Sequence, residues 1–174
     1  MGQFQGYAQE EACQRPYLKI EGDMIVYLDT SSLVKLYVEE EGSADVAAIL
    51  KNARTAATSM IAYAEARAAF ARRFREGSVT KRAYKSLLLS FEKDWINYLQ
   101  VKVSQDLIRL AGDLAEKHAL RGFDAIHLSS AVSLMKANVG VVFLCHDEKL
   151  QKALLREQLV QPSVRSAIQE PVQR

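Results

Sequence analysis

The chain has 174 residues, enough for one domain with a substantial hydrophobic core. Its 49% apolar and 25% charged content is that of a globular protein, and two cysteines, Cys13 and Cys145, offer no disulfide framework and suit a reducing compartment. No apolar run approaches the ~20 residues of a membrane helix, and the formal net charge of +2 is too small to announce a nucleic-acid partner by itself.

That balance hides an asymmetry. Residues 1–23 hold two basic and four acidic residues, which leaves 21 basic against 17 acidic and a net charge of +4 for the rest. The first 23 residues are rich in Gln, Gly and Glu and show no period. They read as a flexible extension, with Glu10 and Glu11 where a secretion signal needs an apolar core. Met24, which opens the first strand, reads as an alternative start of the chain.

Met24 to Leu28 is an unbroken apolar run of the kind that forms a short buried strand. It ends on Asp29, followed by Thr30, Ser31 and Ser32, and a short helix is expected over Val34–Tyr37. Ser43 is placed to cap a helix through Asn52, and Thr55–Thr58 reads as a second strand. Ser59 is expected to cap a long helix from Met60 to Glu76 that Gly77 stops. Thr80 opens another to about Tyr98, with Tyr84, Leu87, Leu88, Phe91 and Trp95 on one stripe, a core or dimer surface. Leu99–Val103 alternates like a half-buried strand. Ser104 caps a helix whose inner face is Leu107, Ile108, Leu110, Ala111 and Leu114. Asp124 begins a helix to about Ala137, Val139–Cys145 is a strong strand, Asp147–Arg156 a helix, and Leu159–Val160 an edge strand. Strands separated by helices indicate a parallel sheet with helices around it. The expected organisation is residues 1–23 as extension, 24–160 as one domain and 161–174 as a polar tail.

Four acids stand out. Asp29 follows the first strand, Asp147 the strand at 139–145, and Asp124 starts a helix. Open parallel sheets bind ligands at the carboxyl ends of their strands. Helix capping explains an isolated Asp at such a position equally well. Glu65 lies in the long helix, on a face through Ile61, Ala64, Ala68 and Ala69 that a core would select. A buried Glu there needs a partner, or else it pairs at an edge with Arg67 or Arg72. Four carboxylates in one crevice repel one another, and a divalent metal removes the conflict. Oxygen donors favour Mg2+ or Mn2+, whereas His118, His127 and Cys145-His146 lack the paired spacing of a zinc site. His127, one turn past Asp124, reads as a packing or supporting residue.

Val26-Tyr27-Leu28-Asp29-Thr30-Ser31-Ser32-Leu33-Val34-Lys35-Leu36-Tyr37 resembles the opening of a PIN-domain nuclease, in particular the VapC-type ribonuclease toxins of toxin–antitoxin pairs. Asp124-Ala125-Ile126-His127-Leu128 and Phe143-Leu144-Cys145-His146-Asp147-Glu148-Lys149-Leu150 are similar to that family's later signatures, and Glu65 to its helical glutamate. Cys145 departs from a commoner Thr or Ser, and Glu148 stands beside Asp147 as a possible substitute. The resemblance implies a three-layer α/β/α fold with a mostly parallel central sheet and helices on both faces. It implies a cytoplasmic, Mg2+- or Mn2+-dependent endoribonuclease, homodimeric, with a cognate antitoxin. Asp29 and Asp124 would be the main metal ligands, Glu65 and Asp147 would complete the acidic cluster, and Thr30 or Ser31 would orient Asp29. RNA needs cations near so acidic a site, and Arg72 and Arg121 are the candidates. Three other readings remain. One is a stand-alone RNA-processing PIN nuclease, and another is an inactive PIN-like scaffold. The third, an aspartyl-nucleophile phosphatase, wants a second acid where Ser31 stands.

Overall fold

A computed structural model describes residues 24–137 and 140–159, so the extension, the tail and Val160 lie outside the described residues. In chain order the elements are β1 (Ile25–Leu28), α1 (Thr30–Val34), α2 (Ser43–Lys51), β2 (Thr55–Ser59) and α3 (Ile61–Arg75). They continue as α4 (Lys81–Trp95), β3 (Leu99–Val101), α5 (Gln105–His118), α6 (Gly122–Ala137), β4 (Val141–Leu144) and α7 (Glu148–Arg156). The strands form one parallel sheet in the order β3-β2-β1-β4.

All four residues of β1 are buried because both faces of the sheet are covered. Ile25 and Tyr27 point into a core with Leu114 of α5, Leu128 of α6 and Leu150 and Leu154 of α7. Val26 and Leu28 point the other way, toward Leu33, Val46, Ile49, Ala66, Phe70 and Phe91. The period-two alternation of a strand thus divides one apolar run between two helical layers, giving the expected α/β/α sandwich. The stripe on α4 serves the second core. Phe91 is fully buried and meets Phe70, Tyr37 and Tyr63 at ring-centroid distances of 5.3–5.5 Å. No helix among the described residues is long and apolar enough to cross a membrane.

Several local expectations change. The first helix starts at Thr30, because the Asp29 carboxylate accepts from the Ser32 backbone N–H and caps it there. Ser59 is the last residue of β2, leaving Met60 at the helix start without a side-chain cap. Leu159 is buried but belongs to no strand, and a left-handed Gln158 turns the chain after α7. Thr80, Ser104 and Asp147 do cap α4, α5 and α7, each accepting a backbone N–H.

The ends of α5 and α7 are pinned by Glu157, whose Oε1 accepts from Lys117 Nζ and His118 Nε2, both at 2.7 Å. The Lys117 and His118 bonds hold the Glu157 carboxyl below the usual range. A depressed carboxylate pKa contributes stability that is complete above the unfolded value and lost as pH falls through the folded one. Glu157→Gln is therefore expected to cost about 1 kcal/mol at pH 7 and less near pH 3. Urea unfolding at the two pH values checks this; an equal cost at both would contradict it.

Candidate active site

The strand order reverses around β1: the chain leaves it for β2 on one side and later returns to β4 on the other. The carboxyl ends of β1 and β4 therefore frame the crevice in which open α/β sheets hold ligands. Asp29 sits there, 6% exposed, with its backbone N–H on the Leu144 carbonyl at 3.2 Å. Asp147 lies three residues past β4. Each caps a helix through Oδ1, Asp29 from Ser32 N–H at 2.8 Å and Asp147 from Leu150 N–H at 2.9 Å. Capping does not exhaust a carboxylate, which has two oxygens and about four lone-pair sites. The Ser31 hydroxyl reaches both Asp29 oxygens, at 2.9 and 2.8 Å.

Asp124 stands in the first turn of α6. Burial raises its carboxyl pKa, the negative charges of Asp147 and Asp29 raise it further, and Arg121 and His127 pull the other way. Three acids from separate parts of the chain thus share one electrostatic field. Beside them opens a cleft of about 390 Å³ lined by Arg121, Asp124, His146, Asp147, Glu148 and Lys149.

Glu65 reaches the same end of the sheet from α3, by a route that sequence periodicity misreads. The core face of α3 is Ala62, Ala66 and Phe70, while Ala64 and Ala68 are exposed. Glu65 is partly buried, and its Oε2 accepts from Thr30 Oγ1 at 2.5 Å and faces His127 Nε2 at 3.1 Å. Burial pushes its pKa up, but the bonds from His127 and Thr30 outweigh this and leave it lowered. Neither expected arginine pairs with it. Arg67 bonds Glu92 at 2.6 Å, and Arg72 lies 3.9 Å from Glu76, well exposed and outside the cleft lining. Arg73 pairs with Glu40, which also holds Lys35. Arg121 does line the cleft. Of the two hydroxyls expected to orient Asp29, Ser31 bonds it and Thr30 bonds Glu65 and His127 instead.

The donors are all hard oxygens, and the mutual repulsion that raises Asp124 is what a divalent cation relieves. In kind they fit Mg2+ or Mn2+. As arranged they stand apart: among the described residues no three His, Cys, Asp or Glu side chains converge closely enough to hold an ion together. Lys149 and His146 were not singled out as site residues from the sequence. Their signal is position, either side of Asp147 and Glu148 at the end of β4. The imidazole pKa of His146 is lowered, by desolvation first and the Lys35 ammonium second. Gly42 faces the ring at a positive φ of 84°, where an added Cβ would stand 3.0 Å from Nε2.

A sequence model described as PIN domain matches residues 26–153. Two Mycobacterium tuberculosis proteins, Ribonuclease VapC45 and Ribonuclease VapC49, are each 36% identical over 130 residues, covering 72% of this chain and 86% of theirs. Among solved structures, FitAcB from Neisseria gonorrhoeae aligns with a TM-score of 0.58 at 14% identity, over 80% of this chain and 98% of that one. PAE2754 from Pyrobaculum aerophilum aligns at 0.53 and 17% identity, over 83% and 96%. These two structural likenesses concern the fold alone.

Proposed function

The chain belongs to the PIN-domain family, and from that membership we propose that it is an endoribonuclease dependent on Mg2+ or Mn2+, the toxin of a toxin–antitoxin pair. The observation that supports this best is the shared field of Asp29, Asp124 and Asp147 at the carboxyl edge of the sheet, opening on a cleft that also holds Arg121 and Lys149. The two relatives named as ribonucleases support RNA as the substrate. The proposed setting is the cytoplasm, with a homodimer as the working form and a segment of the antitoxin covering the groove.

Asp29 and Asp124 would hold the cation, with Glu65 and Asp147 joining directly or through water. When bound, it supplies a lowered pKa for the attacking water and stabilises charge on the phosphate. The chain's own residues do the rest. Ser31 fixes the Asp29 carboxylate, Glu65 is held by Thr30, and Arg121 and Lys149 draw the phosphate into an otherwise anionic cleft. Arg72, further along α3, would meet the RNA backbone outside it. Cleavage of a mixed-sequence RNA with added Mn2+, stopped by a chelator and restored by fresh metal, is the direct test. Cleavage indifferent to the chelator would overturn the reading.

Phosphate-binding cations leave a salt signature. Arg121→Ala and Lys149→Ala are each expected to raise KM for RNA and to reduce the slope of log affinity against log salt by about 0.7, the share of one contact on a single strand. Titrations across ~50–200 mM salt read it out. An unchanged slope in both variants removes these residues from the substrate path.

A further inference from the structure

A chain of polar contacts, buried at Tyr27 and half-buried at Glu65, runs from β1 to the helical acid. Tyr27 is fully buried, and its hydroxyl lies 3.0 Å from Nδ1 of His127, itself 3% exposed. Nε2 of the same ring faces Thr30 Oγ1 at 3.0 Å and Glu65 Oε2 at 3.1 Å. The Thr30 hydroxyl donates to that same Oε2.

The donors can be assigned. A tyrosine hydroxyl keeps its proton at neutral pH, so at 3.0 Å it can donate to Nδ1. An Nδ1 that accepts puts the ring proton of a neutral imidazole on Nε2, where it points at Glu65. Thr30 has one proton and gives it to Glu65, so its oxygen is free to accept from Nε2 as well. Both donors converge on Oε2. Among the described residues Oε1 takes part in no hydrogen bond, which leaves it open to a ligand.

We propose that Tyr27 and His127 are positioning residues for Glu65, locking one carboxylate oxygen so that the other is presented to the divalent cation. This rests on the nuclease reading above. Packing alone does not require the arrangement. Tyr27 already rests on Phe143 with ring centroids 4.9 Å apart, and a Phe at position 27 would keep that contact. The hydroxyl, which also meets the Ser130 side chain and the Ser59 backbone, adds the bond that sets which histidine nitrogen carries the proton. Groups that hold metal-binding side chains in place in this way typically change metal affinity by about 10–100-fold.

The test uses the full chain and Mn2+ alone, without RNA, with free Mn2+ followed by electron paramagnetic resonance and Tm recorded beside it. His127→Asn sets its amide near the place of Nδ1, out of reach of Glu65, and is expected to weaken Mn2+ binding about 10–100-fold. His127→Gln carries an amide near the place of Nε2 and is expected to restore binding to within about threefold, on the same reasoning. Tyr27→Phe keeps the ring and loses the donor, and is expected to fall between the two. In cleavage assays His127→Asn should recover as Mn2+ is raised, with KM for RNA unchanged. Wild-type Mn2+ affinity in both His127→Asn and Tyr27→Phe, whatever their Tm, overturns the proposal, as does a Gln variant no better than Asn. If His127→Asn does not fold, Tyr27→Phe decides alone. Asp124→Asn is the separate arm for the parent reading: unchanged Mn2+ binding there places the ion outside this crevice and overturns that reading, independently of the histidine variants.

Discussion

Asp29→Asn and Asp124→Asn are each expected to lower RNA cleavage by about a thousandfold, the several kcal/mol that a correctly held cation contributes to stabilising charge in the transition state. The fold should survive both. Asn caps helices about as well as Asp, so α1 keeps its start when Asp29 is replaced. Asp124 sets up a sharper contrast. Its carboxyl pKa is raised in the folded chain, by burial first and then by Asp147 and Asp29. An acid with a raised folded pKa binds its proton more tightly when folded, so its ionised form opposes folding once pH passes the ordinary Asp range. Asp124→Asn removes that strain. Its Tm at pH 7 is expected to equal or exceed that of the wild type while cleavage collapses, the trade expected where like charges are held together for use. Gel assays with added Mn2+, beside thermal melts of the same preparations, measure both quantities. Full cleavage by both variants would refute the assigned site, and a large drop in Tm for Asp124→Asn would refute the electrostatic account of it.

Phe91→Ala is expected to have the largest effect on stability, about 3–5 kcal/mol. The ring is completely buried between Phe70, Tyr37, Tyr63 and Trp95, and these aromatic neighbours come from α3, α4 and the segment after α1. Because they are pinned from several elements, the walls cannot collapse into the space, and the cavity cost adds to the lost transfer energy. For a chain of this size each kcal/mol moves Tm by about 2–4 °C, so a fall of roughly 10 °C is expected. Leu89, two residues earlier on α4, is 73% exposed. Leu89→Ala should stay within about 0.5 kcal/mol. Urea denaturation of the pair separates burial from mere hydrophobicity; similar losses would show that the aromatic cluster is not the anchor of this face.

Glu65 shows where reading from sequence reached its limit. Its helix is crowded with alanines, and Ala62 and Ala66 look no different from Ala64 and Ala68 until the sheet selects a side. Hydrophobic periodicity needs contrast between faces, and a run of small apolar residues offers almost none. Phe70 is the one large residue on the chosen side. Ser59 misled for a related reason: a hydroxyl before a helical stretch looks like a cap, yet the pairing of β2 with β3 carries the strand through that position.

What the chain's linear order determined is everything set by neighbours in sequence. The apolar run of β1 bounded by Asp29, the caps at Thr80, Ser104 and Asp147, and the alternation of strands and helices all follow from local propensity and burial, which act over a few residues. Tertiary structure alone decided which groups meet. Tyr27 and His127 are 100 positions apart, Thr30 and Glu65 are 35 apart, and no periodicity couples them. Their contacts exist because α6 lies over the sheet in the core that Tyr27 enters, and α3 packs against α1. A hydrogen bond between distant residues is fixed by the packing of whole elements, and only the folded chain carries that information.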